Sequence, residues 1–304
     1  MIYKSIEELI GNTPMLELER LEGELGLKSR VIAKLESFNP AGSSKDRAAK
    51  NMLDEAEKSG QLKPGGTVIE ATSGNTGIGL SMLGILRGYK VIIVMPDTAS
   101  RERILSMEAY GAKVVLTDGK EGMIGATKKA EEIAKVTENS FIVSQFENLA
   151  NSDAHYKTTG PEILKNTEGC VDIFVSAIGT GGTITGTAKY LKEHKPSTLV
   201  YGVEPSASPL LTKGVAGPHK IQGIGANFVP KILDTGLIDE IITVSDDEAY
   251  EYARLLAKKE GILCGISSGA ALCGAIKLAS KLENKTIVVL LPDTGLRYLS
   301  TDLF

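Results

Sequence analysis

Residues 173–188 read Ile173-Phe174-Val175-Ser176-Ala177-Ile178-Gly179-Thr180-Gly181-Gly182-Thr183-Ile184-Thr185-Gly186-Thr187-Ala188, a stretch without one charged side chain. An apolar, partly β-branched run opens it, glycines and threonines follow, and a helical pattern continues through Leu191. A continuous apolar run, rather than an alternating one, suits a strand buried on both faces of a parallel sheet. Glycines let the backbone approach a ligand, hydroxyls donate, and a helix N-terminus offers free N–H groups with a partial positive charge. The stretch therefore reads as strand, phosphate loop, helix. It carries neither nucleotide fingerprint: Ile184 stands where G-x-G-x-x-G needs its last glycine, and no Gly-Lys-Ser/Thr follows. The next strand ends in Glu204, about where a ribose-binding acid would fall, yet the loop suits a single phosphate better than a pyrophosphate.

Outward from this stretch, the same alternation fills the chain. Apolar or β-branched runs recur at 31–33, 67–69, 91–94, 113–116, 141–143, 199–201, 241–244 and 287–291, with helix-length segments such as 121–136 and 246–260 between many of them. Strand and helix in alternation predict an α/β protein with crossover helices on both faces, as one large sheet or two smaller ones. The segment 39–63, poor in strand formers, reads as a loop plus a helix. A change of domain is expected there and another near 145–151.

The 304 residues carry 34 Lys+Arg against 38 Asp+Glu, a formal charge of −4, which argues against nucleic acid or an anionic membrane as the main partner. The uncharged stretches are too short and too rich in Gly, Ser and Thr for the roughly 20 apolar residues of a membrane span. Glu7 and Glu8 fall where an export signal would have its apolar core, so no export signal is expected. Three cysteines (Cys170, Cys264, Cys273) without CxxC spacing and three scattered histidines offer neither a disulfide framework nor a metal cluster. Each cysteine is expected to be a small buried hydrophobe, in reducing cytosol.

Two further uncharged windows share the pattern, 71–86 and 261–276. Each is expected at the end of a strand and at the start of a helix, where open parallel sheets bind ligands. The first contains Thr72-Ser73-Gly74-Asn75-Thr76 ahead of a helix over Asn75–Leu86. Hydroxyls, an amide and helix N–H groups together make a receptor for a carboxylate, although Ser73 or Asn75 alone would suit a helix cap. The second contains Gly265-Ile266-Ser267-Ser268-Gly269-Ala270, where packing and capping explain small residues equally well. Lys45, one of 26 lysines, lies in Asn39-Pro40-Ala41-Gly42-Ser43-Ser44-Lys45-Asp46-Arg47. A primary amine forms Schiff bases with aldehydes. Beside a phosphate cradle and a carboxylate receptor it supplies what pyridoxal phosphate and an amino-acid substrate require.

At these residues the sequence resembles the fold type II pyridoxal-phosphate enzymes, and within them the cysteine synthases (O-acetylserine sulfhydrylases). NPAGSSKDR resembles the cofactor-lysine segment, TSGNTG the substrate loop, GTGGT the phosphate loop and GISSGA the pyridine-nitrogen segment. HKIQGIGANFVP, residues 219–230, resembles the loop that closes the active site, and Gln145-Phe146-Glu147-Asn148 a second substrate contact. The resemblance implies two open twisted sheets with flanking helices, of the tryptophan synthase β-like type, and an active site in the cleft between two domains. Residues 41–146 would form the smaller, mobile one, and 1–40 with 147–304 the larger. It implies that Lys45 holds pyridoxal 5′-phosphate covalently and then serves as base on the substrate Cα proton. Asn75 would bond the ring O3′, Gly179, Thr180, Gly181, Gly182 and Thr183 the phosphate, and Ser267 the pyridine nitrogen. Thr72, Ser73, Gly74, Thr76, Gln145, Gly225 and Asn227 would line the substrate site, with no metal.

The implied reaction forms L-cysteine and acetate from O-acetyl-L-serine and sulfide. The alternative takes L-cysteine as first substrate, releasing hydrogen sulfide with lanthionine, serine or cystathionine as product. A cytoplasmic homodimer and a serine acetyltransferase C-terminal tail in the active site are further implications. Four positions depart from the pattern: Asn227 where glycine is usual, Lys157 and Leu296 for glutamate, and Leu149 for proline. Asn227 bears most on which nucleophile or leaving group is accepted.

Overall fold

The computed structural model describes residues 2–304; Met1 lies outside the described residues. Ten strands are present: β1 (Met15–Glu17), β2 (Lys28–Leu35), β3 (Thr67–Ala71), β4 (Lys90–Pro96), β5 (Lys113–Thr117), β6 (Ser140–Ile142), β7 (Ile173–Ala177), β8 (Leu199–Pro205), β9 (Glu240–Val244) and β10 (Glu283–Leu291). They form two sheets, one in the order β1-β2-β10-β7-β8-β9 and one in the order β5-β4-β3-β6. All pairings are parallel except β1 with β2. The nine runs expected from sequence are all strands. The tenth, β1, is a three-residue edge strand, too short to leave a periodic signal.

Burial follows from sheet position. The central strands β3 and β7 are buried along nearly their whole length, whereas the edge strands β5 and β9 are largely half-exposed. On one face of the large sheet lie the helices Asp246–Glu260 and Ile266–Ala279, closing a core that includes Val31, Val175, Val289 and Leu272. The helix Asp246–Glu260 has the boundaries its sequence dictates. Ser245 and Glu248 make a reciprocal capping box at one end, and Gly261 in the left-handed conformation stops the other.

Two expectations are corrected. The window 261–276 does not follow a strand: it begins at the C-cap of one helix and enters the helix Ile266–Ala279 within five residues. The connection is too short for a strand, and Cys264 makes only an isolated bridge to Thr294. Cys170 is exposed, while Cys264 and Cys273 are buried. Cys170 sits in the connection before β7 and belongs to none of the buried apolar clusters.

Strand order places the ligand loops. In the small sheet the chain runs outward from β3 to β4 and β5, and β6 lies on the other side of β3. In the large sheet it runs outward from β7 to β8 and β9, and β10 lies on the other side of β7. Each reversal opens a crevice at the carboxyl ends of its central strands. Residues 72–76 follow β3 and Gln145 follows β6; residues 179–183 follow β7 and Asp293 follows β10.

Candidate active site

The two crevices are joined by hydrogen bonds. The Thr76 hydroxyl donates to Gln145 Oε1 at 2.6 Å, fixing the amide so that Gln145 Nε2 is left to donate elsewhere. Asn151 Nδ2 donates to the Gln145 carbonyl at 2.8 Å and to Thr180 Oγ1 at 3.2 Å. On the other side Asn75 Nδ2 donates to Asp293 Oδ2 at 2.8 Å, and Arg297 donates to Asn75 Oδ1. Residues 72–76 and 179–183 thus belong to one bonded network. Ser73 and Asn75 are not caps: Gly74 is the N-cap of the helix Asn75–Leu86, with no side-chain bond. The N-cap residues of the helices Lys45–Lys58, Gly182–His194 and Ile266–Ala279 likewise make no side-chain bond, although Lys45 N–H reaches Ser43 Oγ and Gly182 N–H reaches Thr180 Oγ1.

Lys45 is the first residue of the helix Lys45–Lys58 and is half-buried. Burial pulls its amine below the usual lysine range, against the opposing charges of Asp293 and Glu36. Asp293 is buried; it bridges to Ser43, its carbonyl accepts Gly265 N–H at 3.2 Å, and its Oδ1 has no partner among the described residues. The segments around Lys45, Asn75 and Ser267 therefore meet at this one residue, the first and last at its backbone and Asn75 at its carboxylate. Ser267 is buried one residue inside the helix Ile266–Ala279. Gly179 could not carry a side chain, because a Cβ there would lie 2.3 Å from the Gly223 carbonyl.

The remaining candidates are more peripheral. Thr72 Oγ1 accepts Gly74 N–H at 3.2 Å, and the Ser73 carbonyl accepts from Arg103 at 3.1 Å. Gly225, at φ +63°, donates its N–H to the Ile178 carbonyl and accepts from His219 Nε2. Asn227 has φ +62°, a left-handed conformation that asparagine tolerates better than most residues, and its Oδ1 accepts the Ser208 hydroxyl at 2.9 Å. Phe228, in the 219–230 loop, packs edge-on against Phe146 with ring centres 5.0 Å apart.

Several residues about the site were not expected. Besides Asp293 they are Arg103, which donates to the Tyr298 hydroxyl at 2.9 Å, and Tyr298, which donates to Asp293 at 2.8 Å. The usable sign for Asp293 was its place just beyond an apolar strand, the same rule that marked residues 179–183. Glu70 is another. It precedes the carboxylate loop, and its buried side chain accepts from Ser144 N at 2.8 Å and Gln145 N at 3.3 Å.

Burial raises the Glu70 carboxyl to about 7, and the two backbone donors only partly oppose it. A folded pKa above the unfolded one means the folded state holds the extra proton. The stability from Glu70 is then complete below about pH 4.5 and lost as pH rises through about 7. Glu70→Gln is expected to gain stability relative to the parent between pH 5 and pH 8, followed by urea unfolding at both. A difference that does not change with pH would reject the raised carboxyl.

Comparison with known proteins agrees with this geometry. The family model described as "Pyridoxal-phosphate dependent enzyme" matches residues 6–293. A protein of Bacillus subtilis (strain 168) named "Probable cysteine synthase" is 52% identical over 307 residues, covering 100% of this chain and 98% of that protein. The solved cysteine synthase of Entamoeba histolytica is 46% identical with a TM-score of 0.96, over 100% of this chain and 91% of that one. A hydrogen sulfide-producing enzyme from Fusobacterium nucleatum is 46% identical with a TM-score of 0.95, over 98% of this chain and 100% of that one.

Fold and site thus define a pyridoxal-phosphate-dependent enzyme with the two-sheet architecture of fold type II. A half-buried amine with a depressed pKa, helix N-caps that make no side-chain bond and a glycine cradle with no room for side chains fit this cofactor. Within that class, the chain belongs to the cysteine synthase family.

Proposed function

We propose that the protein forms L-cysteine and acetate from O-acetyl-L-serine and sulfide. The observation that carries this is the bonded series Thr76, Gln145, Asn151, Thr180, which ties a carboxylate receptor to a phosphate loop across the two crevices. The bound cofactor would supply an electron sink for the pair of electrons left when the substrate loses its Cα proton. Thr72, Ser73, Gly74, Thr76 and Gln145 bind the substrate carboxylate with neutral donors. Residues 179–183 would hold the phosphate, Asn75 would meet O3′, and Lys45, which would also anchor the cofactor, takes the Cα proton and later returns it. Its depressed pKa favours the free base that this requires. Ser267 would face the pyridine nitrogen with a hydroxyl, which cannot hold a proton there as a carboxylate would. The bound cofactor would then be a weaker electron sink, which would favour loss of a β-substituent. Acetate leaves from Cβ with its bonding pair, and sulfide forms the new C–S bond at the same carbon. The 219–230 loop, including Gly225, excludes water.

The proposal includes a smaller, mobile domain of residues 41–146 and a larger one of 1–40 with 147–304. It also includes a homodimer in the cytoplasm and a serine acetyltransferase tail whose terminal carboxylate enters the 72–76 receptor. The alternative first substrate, L-cysteine, rests on Asn227 and on the likeness to the Fusobacterium enzyme. The bond from Ser208 gives Asn227 a structural role, which favours the first reading. The purified enzyme is expected to consume O-acetylserine with sulfide and yield acetate and cysteine. Faster release of sulfide from cysteine alone would reverse the order of the two.

A further inference from the structure

Beneath the phosphate loop lies the helix Ala150–Lys157, and Asn151 and His155, four residues apart, share one of its faces. The approach is close: a Cβ on Gly182 would lie 2.2 Å from Asn151 Oδ1, and one on Gly186 1.9 Å from the Ser152 carbonyl. His155 is fully buried and both ring nitrogens are engaged, Nδ1 with Thr159 Oγ1 at 2.9 Å and Nε2 with Thr183 Oγ1 at 3.1 Å. Burial first, then the charges of Arg47 and Lys45, hold the imidazole at about 3 against the opposing charge of Glu36, so the ring is neutral. One nitrogen donates and the other accepts.

The partners decide which. Thr159 is fully buried, and its hydroxyl makes no other hydrogen bond among the described residues. Its proton must go to Nδ1 or remain an unmet buried donor, at a cost of about 1–3 kcal/mol. With Nδ1 accepting, Nε2 carries the hydrogen and donates to Thr183 Oγ1. The Thr183 hydroxyl proton is then free. Asn151 has the same effect on Thr180. The atom facing the Gln145 carbonyl must be the amide nitrogen, so the same NH2 group donates to Thr180 Oγ1, which also accepts Gly182 N–H at 3.3 Å. Both threonine oxygens receive hydrogen bonds from below, and both protons are left to point outward.

We infer that Asn151 and the Thr159–His155 pair are positioning residues that set Thr180 and Thr183 as donors to the cofactor's phosphate. The inference rests on the reading of residues 179–183 as a phosphate loop. It explains how an anion site without a cation in its loop keeps its hydroxyls from turning inward. Hydrogen bonds to a charged acceptor are the strong ones, so their orientation matters more than their number.

The test is titration of the cofactor-free protein with pyridoxal 5′-phosphate and, separately, with pyridoxal, which lacks the phosphate. Thr159→Val and His155→Ala are each expected to weaken pyridoxal 5′-phosphate binding about tenfold, one charged hydrogen bond's worth, and to leave pyridoxal binding unchanged. His155→Gln, whose amide can still donate to Thr183, is expected to restore most of the loss. Equal weakening toward both ligands would mean a merely structural role, and a silent Thr159→Val would overturn the relay. Thr183→Val separates the two levels. If it leaves pyridoxal 5′-phosphate affinity intact, the phosphate-loop reading fails. If it weakens binding while Thr159→Val does not, only the relay fails. Should His155→Ala fail to fold, Thr159→Val and His155→Gln, close in shape to the parent, decide the matter.

Discussion

Lys45→Ala is expected to lower turnover about ten-thousand-fold and to abolish covalent retention of the cofactor after borohydride reduction. Removal of a positioned general base alone costs roughly 10²–10⁴ in rate, and the same amine is the anchoring group in the proposed mechanism. The sequence around it excludes a substitute. Asp46 and Arg47, the next two residues, are both buried and committed elsewhere, Asp46 to the Ala41 N–H at 2.6 Å and Arg47 to Glu36 and Glu162. Lys45→Arg should be nearly as inactive, since a guanidinium keeps its charge and cannot serve as a base. The pH profile carries a second expectation. Because burial pulls the Lys45 amine below the ordinary lysine range, the activity needing the free base should rise with pH earlier than an exposed lysine allows. A variant at position 45 that retained covalent cofactor, or a tenth of the parent turnover, would remove Lys45 from its role.

Much of this was legible because it is local. An apolar run followed by glycines and hydroxyls fixes strand, turn and helix within sixteen residues, and 173–188 folded as it reads. The place of residues 72–76 was equally readable: they follow β3 directly and lead into a helix. What pattern did not reveal was distance across the chain. Asp293 and Asn75 meet over 218 positions, and no periodicity ties a lone aspartate after β10 to a helix start after β3. Strand order brings them together, and strand order depends on which faces pack, not on any single segment. The 261–276 window shows the opposite failure. Its small residues pointed correctly to a helix start, but the missing strand before it is a matter of how two helices share one sheet face. His155 looked like one of three scattered histidines; only burial between two threonines distinguishes it.

The residue two positions beyond Lys45 shows how the site is held in place. Arg47 donates to Glu36 at 2.7 and 2.9 Å, to Glu162 at 2.6 and 2.7 Å and to Thr13 Oγ1 at 3.1 Å, all in a buried cluster that Lys34 joins through Glu162 at 2.6 Å. Two cations face two carboxylates, so the cluster is neutral and can be buried. It also connects the segment before β1, the end of β2 and the turn after it, the helix Lys45–Lys58 and the helix Thr159–Asn166. Arg47→Met removes one cation and leaves Glu36 fully buried without its main partner. Breaking a buried pair in this way costs about 3–5 kcal/mol, and that loss is expected at pH 7 in urea unfolding. The sign with pH follows from Glu36. Burial would raise its carboxyl, but Arg47, Lys34 and the Thr13 hydroxyl outweigh burial and hold it at about 2. A lowered folded pKa gives stability that is present above about 4.5 and lost as pH falls toward 2. The parent therefore loses on acidification what the variant has already lost, and the gap between them should narrow as pH falls from about 4.5 toward 2. Arg47→Met combined with Glu36→Leu should be more stable than Arg47→Met alone, because the orphaned charge goes with its partner. A double variant no better than the single one would mean that Arg47 acts through packing and not through charge.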